Sequence, residues 1–436
     1  MTAATPGRVD PTTGVTIGDD DVSDWSFVHA ADLHLDTPFR GISRIDKDLA
    51  KRLRSASLDA FSDLIDLTID RDAALLVLAG DIYDGAERGI RAQLAVQRGL
   101  RRLTEAGVQT CIVAGNHDPL DGWSAISSWP DGVTEFGHEE PGVVEVSRDG
   151  ELLAVVTGIS YAERAESRNL AGMLKRTDAD VAHIGVIHAS VGEHPEHSPY
   201  APCSIDDLRR GGMDYWALGH IHKREIVLDG TDGGPWAVYP GNLQGRSPKP
   251  SERGAKGASV VSVRGGHITE VEPVALDRAR FDEVAVEVDS DDDLGTVNQR
   301  LAEGARKAVD RADGRALVLR GVVTGRGSVH ADLVRDGVVD ELLEALSDEA
   351  PGDPPCAWTG LSVHTGPPRD PADAANAKGL LADLATVVAE AQADPATWTN
   401  GATEAARAVE ADLKVDTELI GRAAALAAAQ LERNQP

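Results

Sequence analysis

Aspartate, histidine and asparagine stand directly behind apolar runs at five places between residues 32 and 222. Asp32 and His34 follow FVHAA, Asp81 follows LLVLAG, Asn116 and His117 follow CIVAG, His188 closes HIGVIH, and His220 and His222 follow YWAL. Taken singly, a DxH or a GD is a weak signal, and a lone histidine is more often a surface or hydrogen-bonded residue. GNHD and GHxH weigh more, because glycine admits unusual backbone and Asn-His-Asp is costly to leave unpaired at a strand end. Five such elements in order make coincidence a poor explanation, since α/β sheets build their sites at the carboxyl ends of strands.

The donor types indicate metal chemistry. Mixed oxygen and nitrogen ligands without thiolate suit Mn²⁺, Fe²⁺ or Zn²⁺ rather than Ca²⁺. Two such ions about 4 Å apart need a bridging anion, and Asp81 can supply one. Asp32, His34 and one terminal histidine would then complete one ion, with Asn116, His188 and the other terminal histidine around the second. In an extended stretch the side chains of His220 and His222 point the same way, so they can address adjacent ions. Water activated between two ions attacks a phosphoester in line. His117, not needed as a ligand, is placed to stabilise the transition state or protonate the leaving oxygen. Asp118 could orient it, whereas Asp36 and Asp84 read equally well as turn residues or participants.

The elements that must hold these residues are short and apolar. SFVHAA, ALLVLAG, TCIVAG, AHIGVIH and YWALGH read as buried strands, with amphipathic helices at Leu58 to Ile69 and Ile90 to Leu103 between some of them. That alternation predicts an α/β domain. Further strands at Glu225 to Leu228, Trp236 to Tyr239 and Ala258 to Val263 make a second, packed sheet plausible. From Phe281 a new pattern begins: strand Asp282 to Val288, helix Leu294 to Val309, strand Arg315 to Val323, helix Ala331 to Leu346, strand Ala357 to Val363. It predicts a small βαβαβ domain, closed by the breaker Gly366-Pro367-Pro368. The expected organisation is a mobile tail over 1–24, a catalytic domain over 25–275, a capping domain over 276–366 and two Ala-rich helices within 367–436.

Bulk properties narrow the class. The 436 residues exceed one ordinary core. Hydrophobic content of 42% and charged content of 26% are those of a soluble globular protein without a membrane span, and the amino terminus lacks the pattern of a secretory signal. A cytoplasmic location is expected. Cys111, Cys203 and Cys356 form neither a disulfide framework nor a CxxC motif. The formal charge of −29 opposes a DNA-coating role, so a nucleic-acid substrate would need a local basic patch.

The motifs DLHLD, GDIYD, GNHD, IHAS and GHIHK resemble those of calcineurin-like metallophosphoesterases, most closely the SbcD-type DNA repair exonucleases. The stretch YPGNLQGRSPKPSERGAKG, Tyr239 to Gly257, resembles the YPGN-Q-R segment of that nuclease branch, especially its YhaO-like members, and marks Asn242, Gln244 and Arg246 as further candidates. The resemblance implies a four-layer αββα sandwich with a small capping domain and a manganese-type dinuclear centre. It also implies 3′-to-5′ exonuclease activity, with endonuclease activity as a further option, in DNA repair. The partners it implies are DNA, an SbcC-like coiled-coil ATPase meeting the C-terminal helices, and a second copy of the chain. Asp84 stands where archaeal relatives place a histidine, as it does in bacterial relatives.

Arg246, Lys249, Arg253 and Lys256 outnumber Glu252 between Gly245 and Gly257, and Lys223-Arg224 adjoins His222. These loops read either as phosphate contacts or as ordinary solvated loops. A small-molecule phosphodiesterase or nucleotide phosphatase is the alternative activity. Protein phosphatases of this superfamily carry an Arg shortly after GD, and GDIYDG has none. A decayed, non-catalytic scaffold is disfavoured by intact residues at all seven ligand positions.

Overall fold

The computed structural model describes residues 24–37, 47–85, 89–122, 125–126, 128–192, 200–350, 352, 354–368 and 386–390. They divide into two compact units, with a boundary at Asp282/Glu283 and a return of Gly314–Val318 to the first.

The first unit opens with β1 (Trp25–Ala30), α1 (Lys47–Asp70), β2 (Leu75–Ala79), α2 (Ile90–Glu105), β3 (Gln109–Val113) and β4 (Val133–Glu135). β5 (Gly142–Arg148), β6 (Glu151–Gly158), β7 (Ala182–His188), α3 (Ile205–Gly211), β8 (Tyr215–Gly219), β9 (Glu225–Asp229), β10 (Trp236–Tyr239), β11 (Gly257–Arg264) and β12 (His267–Ala275) follow. Two six-stranded sheets result, in the orders β12-β11-β1-β2-β3-β4 and β5-β6-β7-β8-β10-β9. In each, four strands run parallel, β1 to β4 in one and β6, β7, β8 and β10 in the other, and the remaining strands pair antiparallel.

Period-two alternation explains the layering. Phe27 joins Leu75, Val77, Cys111 and Val113 in a core shared with Val156, Ile184, Val186, Tyr215 and Ala217 of the other sheet, so the sheets pack face to face. Val28 and Ala30 turn to the opposite side and meet Phe61, Leu64 and Ile65 of α1 and Val96, Leu100 and Leu103 of α2. α2 buries Ala92, Val96, Leu100 and Leu103 at the helical repeat, and Gly107 with φ +78° follows where it ends. Burying one such Leu is worth about 1.5–3 kcal/mol, and Leu100→Ala would cost about 2–5 kcal/mol. Behind the second sheet, Tyr161, Leu170, Leu208, Trp216 and Tyr239 form a third core. The expected four-layer αββα arrangement is therefore present, with a thin outer layer over the second sheet that contains the seven-residue α3.

The second unit contains α4 (Leu294–Arg311), α5 (His330–Leu333) and α6 (Val338–Asp348), with most of a three-stranded sheet in the order β13 (Ala279–Val288), β14 (Ala316–Arg326), β15 (Cys356–Gly366), the first residues of β13 and β14 counting with the first unit. The single helix expected over Ala331 to Leu346 needs correction: Gly337 takes φ +86° and separates α5 from α6. Residues 386–390 are helical, and the rest of the two expected C-terminal helices lies outside the described residues, as does nearly all of the expected N-terminal tail. Among the described residues no helix is long and apolar enough to cross a membrane.

Candidate metal centre

Every candidate ligand sits at or just past the carboxyl end of a parallel strand: Asp32 and His34 after β1, Asp81 after β2, Asn116 after β3, His188 at the end of β7, and His220 and His222 after β8. Backbone bonds align these loops. Asp32 N–H donates to Gly80 O at 3.0 Å and His34 N–H to Asp81 O at 3.0 Å. Asp32, His34, Asp81 and His220 all take positive φ, of 51°, 43°, 53° and 105°. Left-handed backbone on residues with side chains costs about 1–3 kcal/mol each and persists where surrounding structure imposes it, typically at functional sites. Two glycines make room: at Gly80, with φ +90°, a Cβ would overlap the His188 imidazole, and at Gly115 it would overlap the Asp81 carboxylate.

The side chains converge in two groups. In one, His222 Nε2 lies 3.6 Å from Asp32 Oδ1 and 3.1 Å from His34 Nε2. In the other, His188 Nε2 lies 3.0 Å from Asn116 Oδ1 and 3.5 Å from Asp81 Oδ2. The His220 ring stands 5.3 Å from that of His188, so the two terminal histidines fall to different groups. Asp81 Oδ2 is also 3.7 Å from His34 Nε2 and thus faces both. Among the described residues, Asp32/His34/His222 and Asp32/Asp81/His188 are sets able to hold an ion, and His34/Asp84/His117 is a third.

The electrostatics fit a cation. Burial, with Asp81 beside it, drives the Asp32 carboxyl well above its ordinary pKa. Burial holds His34 down to about 3 and lowers His188. Neutral imidazole nitrogens and two crowded carboxylates, all sealed from water, form a donor set that a divalent ion would relieve. Two outward nitrogens are hydrogen-bonded, His188 Nδ1 at 2.9 Å from Ala79 O and His222 Nδ1 at 2.8 Å from Glu252 Oε1, while His34 Nδ1 has Asp84 Oδ1 at 3.2 Å outside hydrogen-bond geometry.

His117 stands edge-on to His34 at 4.9 Å between ring centroids, with about a third of its side chain exposed. Its N–H donates to Asp81 Oδ1 at 2.8 Å and its Nδ1 lies 3.0 Å from Asp84 Oδ1. Burial works against its charged form, but Asp84 and Asp81 outweigh it and raise its pKa above the ordinary histidine value.

The remaining candidates separate. Asp84 also accepts from Arg246 Nη1 at 3.1 Å. Asp118 accepts from the backbone N–H groups of Gly115, Ile82 and Tyr83, so it braces the loops, while the carboxylate at the His117 ring is that of Asp84. Asn242 Nδ2 donates to Glu252 Oε2 and Gln244 O. Gln244 Oε1 accepts from the N–H groups of Arg278 and Ala279 and so braces backbone. Lys223 is exposed. The basic loop needs correction: Lys256 is buried, its Nζ donating to the carbonyls of His222 and Ser251, and Arg246 pairs with Asp84 and Glu252. Opposite charges inside the fold account for these bases, which sequence alone cannot distinguish from free ones. Glu252, which in the sequence reads only as an offsetting charge, is the buried hub of this segment; its place in the YPGN-Q-R stretch is the one available signal.

The calcineurin-like phosphoesterase family profile matches residues 26–224, and that of the metallophosphoesterase YhaO middle domain matches 281–365. Fold, site and match together make this chain a member of the calcineurin-like metallophosphoesterases, hydrolases of phosphoester bonds. It is 34% identical over 338 residues to the uncharacterized metallophosphoesterase YhaO of Bacillus subtilis (strain 168), covering 77% of this chain and 81% of that one. It is 26% identical over 264 residues to the DNA double-strand break repair protein Mre11 of Sulfurisphaera tokodaii, covering 59% of this chain and 64% of the relative. To the SbcD component of the nuclease SbcCD of Bacillus subtilis it is 32% identical over 234 residues, covering 46% and 57%. The chain thus spans less than two thirds of these last two relatives.

Proposed function

We propose that the chain is a dinuclear-metal DNA exonuclease, degrading from 3′ to 5′ with endonuclease activity as a further capacity. On this reading it works in the cytoplasm in DNA repair, Mn²⁺ is the resident metal, and an SbcC-like ATPase and a second copy of the chain are its partners. The observation that carries the reading is the convergence of Asp32, His34, Asp81, Asn116, His188, His220 and His222 into two groups that Asp81 faces at once. Similarity to Mre11 and to the SbcD component of SbcCD supports DNA as the substrate.

When bound, the two ions would activate water and polarise the phosphoryl oxygens. The protein's own part is positioning. Asp81 and Asp32 present carboxylate oxygens, His34, His188 and His222 present Nε2, and Asn116 presents its amide oxygen. Asp84 holds His117 by Nδ1, which leaves Nε2 to give a proton to the leaving oxygen.

A small-molecule phosphodiesterase is the second reading. The observation favouring it is the internal pairing of Arg246 and burial of Lys256, which remove two bases from any DNA-facing loop. Incubation with Mn²⁺ and end-labelled linear duplex DNA, beside a chromogenic phosphodiester, separates the two. Release of DNA label by the wild type and not by His117→Ala supports the nuclease. Hydrolysis confined to the small ester replaces it with the phosphodiesterase.

A further inference from the structure

His222 is reached through Nδ1 by a carboxylate 30 residues away. Glu252 Oε1 lies 2.8 Å from that nitrogen, and Oε2 accepts from Asn242 Nδ2 at 2.8 Å and from the Arg246 N–H at 3.0 Å. Both oxygens are therefore committed, and the residue is only 5% exposed. The backbone around it is clamped as well. Pro250 opens the short 3-10 turn Pro250–Glu252, and Lys256 Nζ joins the carbonyls of Ser251 and His222, tying the Glu252 turn to the His222 loop. On the other side of the ring, Nε2 faces Asp32 Oδ1 at 3.6 Å and His34 Nε2 at 3.1 Å.

We propose that Glu252 is the positioning residue of His222, taking the Nδ1 hydrogen so that the ring presents an unprotonated Nε2 toward Asp32 and His34. A neutral imidazole has one N–H and one lone pair, and whichever nitrogen is hydrogen-bonded to a carboxylate carries the proton. The inference rests on the reading of His222 as a metal ligand. It gives the YPGN-Q-R segment a chemical purpose: Asn242 and the Arg246 backbone hold the carboxylate that holds the histidine. His188 meets the same need differently, through Ala79 O. Carboxylate partners of ligating histidines tune affinity, and removing one typically weakens metal binding by about 10–100-fold.

Calorimetric titration with Mn²⁺ alone tests this on the wild type, Glu252→Gln, His222→Ala and the double variant. The expected result is that Glu252→Gln weakens one of two sites by about 10–100-fold and adds nothing in the His222→Ala background. Wild-type affinity in Glu252→Gln, or an equal loss in both backgrounds, overturns the inference, since Glu252 would then act elsewhere or through the fold. Nitrogen-15 shifts of His222 in the metal-free wild type provide a check that needs no variant: an Nδ1-protonated ring is expected, and an Nε2-protonated ring overturns it. A wild type that binds no Mn²⁺ while His222 is Nδ1-protonated would refute the metal-centre reading but not the pairing.

Discussion

Asp84 Oδ1 lies 3.0 Å from His117 Nδ1. The pair makes Asp84, which the sequence offers equally as a turn residue or a participant, the group that orients the proposed proton donor. Asp84→Asn would leave an amide there and weaken the hold on the ring. We expect kcat for phosphodiester hydrolysis to fall by about 10–100-fold, in the range for lost orienting partners. Unchanged kcat under saturating metal would remove Asp84 from the mechanism.

His117→Ala is expected to lower kcat by about 10²–10⁴-fold, the usual contribution of general acid–base catalysis. The bound-metal content should be that of the wild type, because the seven ligand positions are untouched. Elemental analysis alongside the kinetics checks both, and loss of metal with activity would recast His117 as a ligand.

These two residues mark where the sequence is legible and where it is not. Strand ends such as Gly219 to His222 announce themselves because β7 and β8 are buried throughout and the metal-ligand residue types begin where the apolar run of letters stops. Asp84, Asp118 and Glu252 do not, because a carboxylate beside a loop has the same letter whether it meets His117, the Gly115 N–H, His222 or water. Lys256 misleads for the same reason. β5, with its alternating exposure, and the short β4 lack the continuous apolar runs that reveal the other strands. The break at Gly337 lies within an otherwise helical pattern, and only the backbone angle reveals it.

His29 provides a pH test away from the centre. It is buried on β1 with Nδ1 3.0 Å from the Tyr215 hydroxyl, and burial lowers its pKa from 6.5 to about 3. Between those values the unfolded chain binds a proton that the folded one refuses. Stability is therefore intact above about pH 6.5 and is lost as pH falls, by up to about 1.4 kcal/mol per unit. Urea unfolding of the metal-free protein from about pH 7.5 to about pH 5, a range that spans the unfolded-state pKa, should show a shallower pH dependence in His29→Asn than in the wild type. Equal slopes would mean that His29 takes up a proton as readily in the fold as in the unfolded chain.

Gly115→Ala would drive a Cβ into the Asp81 carboxylate. Because Asp81 faces both ligand groups, we expect Mn²⁺ affinity to fall by at least about 10-fold, as for other disruptions of ligand geometry. Calorimetry decides this, and wild-type affinity would show that the loop relaxes without moving Asp81.

On the proposed reading, one chain holds two divalent ions around Asp81. Anomalous diffraction from crystals soaked in Mn²⁺ measures this directly. The expected map has two peaks about 4 Å apart, one beside Asp32, His34 and His222 and the other beside Asn116, His188 and His220, with Asp81 touching both. A single peak, or none at these residues, would contradict it.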